Sequence, residues 1–195
     1  TVFGPHGGTA EPLSGEKAMT EEGGQRVPGI ICWPGHIQPG VVDGIAANLD
    51  LYATFATLAG GTQPEDKSGY ISTDLTDALL RGEASPRTWW LYHASAYRGG
   101  NYKLHTMLLP GTDPVTRKRM PTVTPDAPLL FDLSADIAEH NNIAAAHPEV
   151  VQRLLKEMEE LTPRKGWGLL SRVSPKPAAP EPIQAPLPPD DESSK

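Results

Sequence analysis

Apolar positions recur along this chain with two different periods, and the change of period divides it. Leu49, Leu51, Tyr52, Phe55, Ala56, Leu58 and Ala59 follow helical spacing, with Asn48 or Asp50 as the cap and Gly60-Gly61 as the stop. Residues 75–80 predict a second short helix, capped by Thr73 or Asp74 and ended by Gly82. Residues 27–33 form a short apolar run suited to a strand buried on both faces, closed by Pro34-Gly35. Beyond Ser85-Pro86 the character changes. Residues 89–93, 102–105 and 129–133 predict strands, and Arg98-Gly99-Gly100-Asn101 predicts a turn that opens an antiparallel pair. The clearest helical pattern comes last. Val150, Val151, Leu154, Leu155, Met158 and Leu161 form one stripe opposite a charged face. Pro148 suits the first helical position, and Pro163 and Gly166 stop the helix.

Between these elements lie loops. Residues 1–16 carry Gly4, Pro5, Gly7, Gly8, Pro12 and Gly15. Residues 110–128 are proline-rich around Arg117-Lys118-Arg119, and predict a long exposed loop whose basic run is either solvated or a subsite for a polyanionic glycan. From Arg172 onward there are seven prolines and no apolar periodicity. Such a segment buries too little surface to offset its ordering entropy, so residues 171–195 predict a disordered tail. The fold class is α/β. Residues 1–84 read as the trailing edge of a larger α/β domain centred upstream. Residues 85–170 read as a small α+β subdomain, an antiparallel sheet with one packed helix.

Composition narrows the partners. The 195 residues carry a formal net charge of −7, which argues against nucleic acid. No apolar run approaches the ~20 residues that span a bilayer, so no membrane partner is expected. The single cysteine, Cys32, excludes an internal disulfide, and its apolar neighbours predict a buried small hydrophobe.

An ordered series of motifs then gives a resemblance. Gly15-Glu16-Lys17 is similar to a G-x-K motif, and residues 22–28 to E-G-G-x-R-V-P. Trp33-Pro34-Gly35-His36-Ile37 with Gly40 resembles W-P-G-x-I…G, and Asp50-Leu51-Tyr52-Ala53-Thr54 resembles D-L-x-P-T. Tyr97-Arg98 with Tyr102-Lys103-Leu104 looks like an "R-x-G-x-Y/W-K-L" strand pair. Leu130-Phe131-Asp132-Leu133, Asp136, Glu139 and Asn142-Ile143 complete the series. In this order, over residues 13–161, the chain resembles the formylglycine-dependent sulfatases. Glu21, Ala53, Ser68-Gly69 and Ile137 depart from the family pattern and mark a divergent branch.

The resemblance implies the C-terminal part of an alkaline-phosphatase-like α/β sandwich and a sulfuric ester hydrolase activity on an aryl, alkyl or carbohydrate sulfate. It also implies a formylglycine nucleophile made from a Cys in C-x-P-S-R, and Ca²⁺ held by aspartates and an Asn. This sequence holds no C-x-P-S-R, and it opens at Thr1 without Met. The expectation is therefore a C-terminal fragment, inactive alone, whose nucleophile and metal ligands lie upstream on a missing N-terminal catalytic portion. Lys17 is expected to be catalytic, binding sulfuryl oxygens as a point charge. His93 is a candidate for substrate recognition or else a packing histidine, and His6 is a candidate for the pocket rim or else solvated. Glu22 and Arg26 are expected to be structural, pairing across a tight glycine turn. His105, His140 and His147 lack metal-ligand spacing and read as structural or exposed. A phosphonate or phosphate monoester hydrolase, or a non-catalytic binding module, are the alternatives. A periplasmic or secreted location is expected.

Overall fold

The computed structural model describes residues 9–17, 19–62, 72–93, 95–109 and 122–161. His6, the basic run 117–119, Ser68-Gly69 and the proline-rich tail lie outside the described residues. In chain order the elements are helices α1 (Glu22–Gln25), α2 (Asp50–Leu58) and α3 (Thr76–Arg81), strands β1 (Trp89–Tyr92), β2 (Ala96–Gly99), β3 (Tyr102–His105) and β4 (Leu129–Asp132), and helix α4 (Pro148–Leu161).

The four strands form an antiparallel meander in the order β1-β2-β3-β4. Its register sorts the side chains by chemistry. Leu91 lies opposite Tyr97, Tyr97 opposite Leu104, and Leu104 opposite Leu130. Strand side chains alternate between faces, so these residues form one apolar row across the whole sheet. Helix α4 lays Val151, Leu154 and Met158 on that row, closing a core in which Leu104, Leu130 and Leu154 are fully buried. Gly99 is needed here: a Cβ at this position would sit 2.7 Å from the Leu154 Cδ2 methyl. The expected sheet with one packed helix is the observed architecture.

The opposite face of the same sheet carries Tyr92, Arg98, Lys103 and His105, beside Ala96 and Phe131. Thr20 and Glu22 of the N-terminal segment reach it.

Helix α2 begins where the capping pattern placed it, although the cap works differently. Leu49 occupies the N-cap and makes no side-chain bond. Instead Asp50 accepts the Ala47 N–H through Oδ2 and the Thr73 N–H through Oδ1. At α3, Asp74 accepts the Thr76 N–H at 2.8 Å, and Gly82 ends the helix in the left-handed region.

Three expectations are corrected. Residues 27–33 form no strand, and Val27 and Ile30 are 71% and 93% exposed. A buried strand needs neighbours on both edges and both faces, and none of the described residues supplies them. Cys32 is accordingly exposed rather than buried. Second, the sequence predicts Arg98 and Gly99 in a turn. They belong to strand β2, and the turn is confined to Gly100-Asn101. A four-residue strand containing glycine carries no alternation of its own, and its neighbours on both sides impose it. Third, β1 stops at Tyr92, and His93 turns out of the strand with φ +54°.

The apolar row makes a prediction. Leu154→Ala opens a cavity between α4 and the apolar row and should cost about 2–5 kcal/mol. Urea denaturation of the two proteins checks this, with a lowered midpoint expected.

Candidate functional site

The site is built on the polar face of the sheet. Lys103 on β3 is fully buried, and a buried ammonium needs close counter-charges. It has two: Glu22 Oε1 at 2.8 Å and Glu139 Oε1 at 3.0 Å. Its Nζ also lies 4.1 Å from the centre of the Tyr92 ring, a cation–π contact. Tyr92 donates its hydroxyl to Glu22 Oε1 at 2.7 Å. Burial, reinforced by that carboxylate, pushes the Tyr92 phenol well above its ordinary value, so it remains a donor.

Glu22 Oε2 is held differently. No hydrogen-bond donor reaches it. Arg26 Nε lies 3.6 Å away and Arg98 Nη1 3.8 Å away, and they compensate it by charge. The expected Glu22–Arg26 pair exists, but it joins one turn of helix and leaves Arg26 half exposed. The stronger partner is Lys103, about 80 residues further along the chain.

Glu139 completes the cluster. Its Oε2 accepts the backbone N–H of Glu22 at 2.6 Å, and its Oε1 faces His105 Nε2 at 2.8 Å. A carboxylate only accepts, so the His105 proton sits on Nε2. Nδ1 then faces the Thr20 hydroxyl at 3.5 Å. Burial alone would raise the Glu139 carboxyl. The His105 bond, the Lys103 charge and the Glu22 N–H outweigh it, and the carboxyl lies below its ordinary value.

These bonds act on the segment that carries Lys17. Met19 N–H bonds Glu16 O at 2.9 Å, closing a turn around Lys17, whose side chain is exposed. Gly23 and Gly24 lie beneath this turn. A Cβ at Gly23 would meet Ser14 O at 2.6 Å, and one at Gly24 would meet the Glu16 and Met19 carbonyls at 2.5 Å. Backbone therefore packs directly on backbone, and only glycine permits that approach. Ser14 Oγ meets His140 Nε2 at 3.2 Å, anchoring the segment's start.

A second buried ion pair joins the helical part to the sheet. Arg87 donates from Nε to Asp50 Oδ2 at 2.7 Å and from Nη2 to Asp50 Oδ1. Its guanidinium also lies over the Trp89 and Trp90 rings, at 5.7 and 5.5 Å.

Of the residues singled out from the sequence, the structure gathers Glu22 and Arg26 into the cluster and places Lys17 on the turn above it. His93 is exposed, immediately after Tyr92. His105 and His140 take structural roles, as expected. Sequence reasoning assigned no site role to Lys103, Tyr92, Arg98 or Glu139. The alternation in Tyr102-Lys103-Leu104-His105 was the available signal, because two polar residues on one face of a buried strand require partners. Among the described residues, no group of three or more His, Cys, Asp or Glu side chains could hold a metal. No helix among them is long and apolar enough to cross a membrane.

No protein-family model matches the chain. Similarity to individual proteins is nonetheless extensive. Arylsulfatase A of Bos taurus is 36% identical over 171 residues, covering 80% of this chain and 33% of the relative. The N-acetylgalactosamine-6-O-sulfatase of Bacteroides thetaiotaomicron is 30% identical over 156 residues, covering 77% of this chain and 30% of the relative. The crystal structure of the PsFucS1 sulfatase from Pseudoalteromonas sp. superposes with a TM-score of 0.65 at 28% identity, covering 76% of this chain and 32% of that one. The chain belongs to the sulfatase family. It spans about a third of the length of these curated relatives.

The low-lying Glu139 carboxyl sets a pH dependence. A carboxylate whose folded-state value is depressed contributes stability above its unfolded value, ~4.3, and loses it as the pH falls through the folded one. Urea midpoints measured from pH 6 down to pH 2.5 should fall more steeply for the native chain than for Glu139→Gln. Parallel curves would show that the cluster does not hold the Glu139 charge.

Proposed function

We propose that this chain is the C-terminal portion of a sulfuric ester hydrolase acting on an aryl, alkyl or carbohydrate sulfate. The observation that carries the reading is the seating of Lys17. Its ammonium stands on a turn whose backbone is bolted to the sheet through Glu22, Gly23 and Gly24, in a chain similar to sulfatases over four fifths of its length. A lysine so placed supplies three donors to the oxygens of a sulfuryl group and stabilises the negative charge that grows as the ester bond breaks. The nature of the relatives supports a sulfated small molecule or glycan as substrate.

In this reading residues 1–84 finish the large catalytic domain and residues 85–170 form the small C-terminal subdomain. The exposed Val27, Ile30 and Ile31, with Tyr52 and Phe55 on α2, support it. They are apolar surfaces that a larger domain would cover. The calcium and formylglycine of the family find no donor set or C-x-P-S-R among the described residues. In this reading they belong to the upstream portion. His93, exposed beside Tyr92, is proposed as a substrate-rim residue, and His6, outside the described residues, is proposed for the same role on the resemblance alone. The location is periplasmic or secreted.

Lys17→Ala in the full-length protein tests the role. Loss of a donor aimed at transition-state charge costs on the order of 10²-fold in turnover, so aryl-sulfate hydrolysis should fall by about that factor while the thermal midpoint stays unchanged. Unaltered kinetics would remove Lys17 from the site.

A further inference from the structure

We infer that Glu139, acting with Tyr92 and Lys103, is a positioning group for Lys17. The inference rests on the role proposed for Lys17 above. It extends that role to residues more than 70 positions away in the chain.

Glu139 accepts the Glu22 N–H at 2.6 Å, while Tyr92 and Lys103 hold the Glu22 side chain at 2.7 and 2.8 Å. Glu22 is thereby fixed at both its backbone and its carboxylate, and it is fully buried. Two residues on, Gly24 abuts the carbonyls of Glu16 and Met19 so closely that a Cβ would stand 2.5 Å from each. Those two carbonyls flank Lys17. Gln25 donates to the same Met19 carbonyl at 2.6 Å, and Gly23 N–H bonds Ser14 O at 2.7 Å. Gly23 and Gly24 bring the backbone after Glu22 directly against the turn, so a displacement of Glu22 is passed to the backbone around Lys17.

Glu139 also adopts φ +57°, the left-handed region that non-glycine residues seldom occupy. A tight loop holds it there: Glu139 N–H bonds Asp136 O at 3.2 Å, and Asn141 N–H bonds Asp136 Oδ2 at 2.7 Å. Backbone conformations of this kind cluster at functional positions. The purpose the geometry shows is presentation of a carboxylate to the Glu22 N–H.

Hydrogen exchange on the 195-residue chain tests the clamp without any chemistry. In Glu139→Gln, and separately in Tyr92→Phe, the amides of Met19, Gly23 and Gly24 should exchange about tenfold faster or more, the scale of one lost charge-assisted bond. The amides of Leu104, Leu130 and Leu154 should keep their native rates. Tyr92→Phe removes one hydroxyl and preserves the ring, so it decides the matter if Glu139→Gln loosens the whole fold. Unchanged loop rates, or equal acceleration in loop and core for both variants, would overturn the clamp. In the full-length enzyme, Glu139→Gln should lower kcat for an aryl sulfate, yet lower it no further when Lys17 is already Ala. Additive losses would show that Glu139 acts on stability and not through Lys17. If Lys17→Ala alone changes nothing, the Lys17 role fails, while the exchange rates still decide the clamp.

Discussion

An ammonium buried between two carboxylates is the constraint around which this structure is arranged. Lys103 cannot leave water without Glu22 and Glu139, and neither carboxylate is stable in the interior without a cation. The three come from α1, from β3 and from the loop after β4. Their mutual requirement therefore fixes where the N-terminal segment lies on the C-terminal sheet. Apolar packing alone would not do so. The hydrophobic row of Leu91, Tyr97, Leu104 and Leu130 fixes α4 on the other face, and it has no bearing on residues 14–26. The sheet is thus two-sided, with one face closed by α4 and the other carrying, beside Ala96 and Phe131, the charges and hydrogen bonds that hold Glu22.

Charge closure brings directionality that apolar closure lacks. Glu22 is reached by an O–H, an ammonium and, through its own N–H, a second carboxylate. Each bond prescribes a distance and an angle. The turn bearing Lys17 sits on this point through backbone contacts that only glycine allows. Precision at a functional side chain follows when its support is itself held by packed and bonded neighbours. The Asp50–Arg87 pair does comparable work between the helices and the entry to the sheet, where Asp50 also satisfies the Ala47 and Thr73 amides.

Much of this was legible from residue order, and the exceptions have physical causes. Helix α4 and strands β1, β3 and β4 declared themselves by period, because each presents an apolar stripe or run to a core formed within the chain; helix α2 declared itself by spacing alone, with Tyr52 and Phe55 exposed. Strand β2 did not, since Ala96–Gly99 is too short and too poor in branched residues to show a preference before its neighbours impose one. Residues 27–33 read as a buried strand because their composition is that of one; burial depends on neighbours, and the described residues do not provide them. Lys17, Glu22 and Arg26 were found through a motif. The pairing of Glu22 with Lys103 was not, because a contact spanning 81 positions leaves no trace in local spacing. The polar alternation of β3 was its only local sign.

The most direct measurement is a double-mutant cycle between Glu22 and Lys103, read as unfolding free energy from urea titrations of the native chain, Glu22→Gln, Lys103→Met and the pair together. If the buried ion pair locks the two halves, the single changes should each be costly, and the double change should cost less than their sum by about 1–3 kcal/mol. Costs that simply add would mean that the two residues are stabilised independently, and the account of the polar face as the organising contact would be wrong.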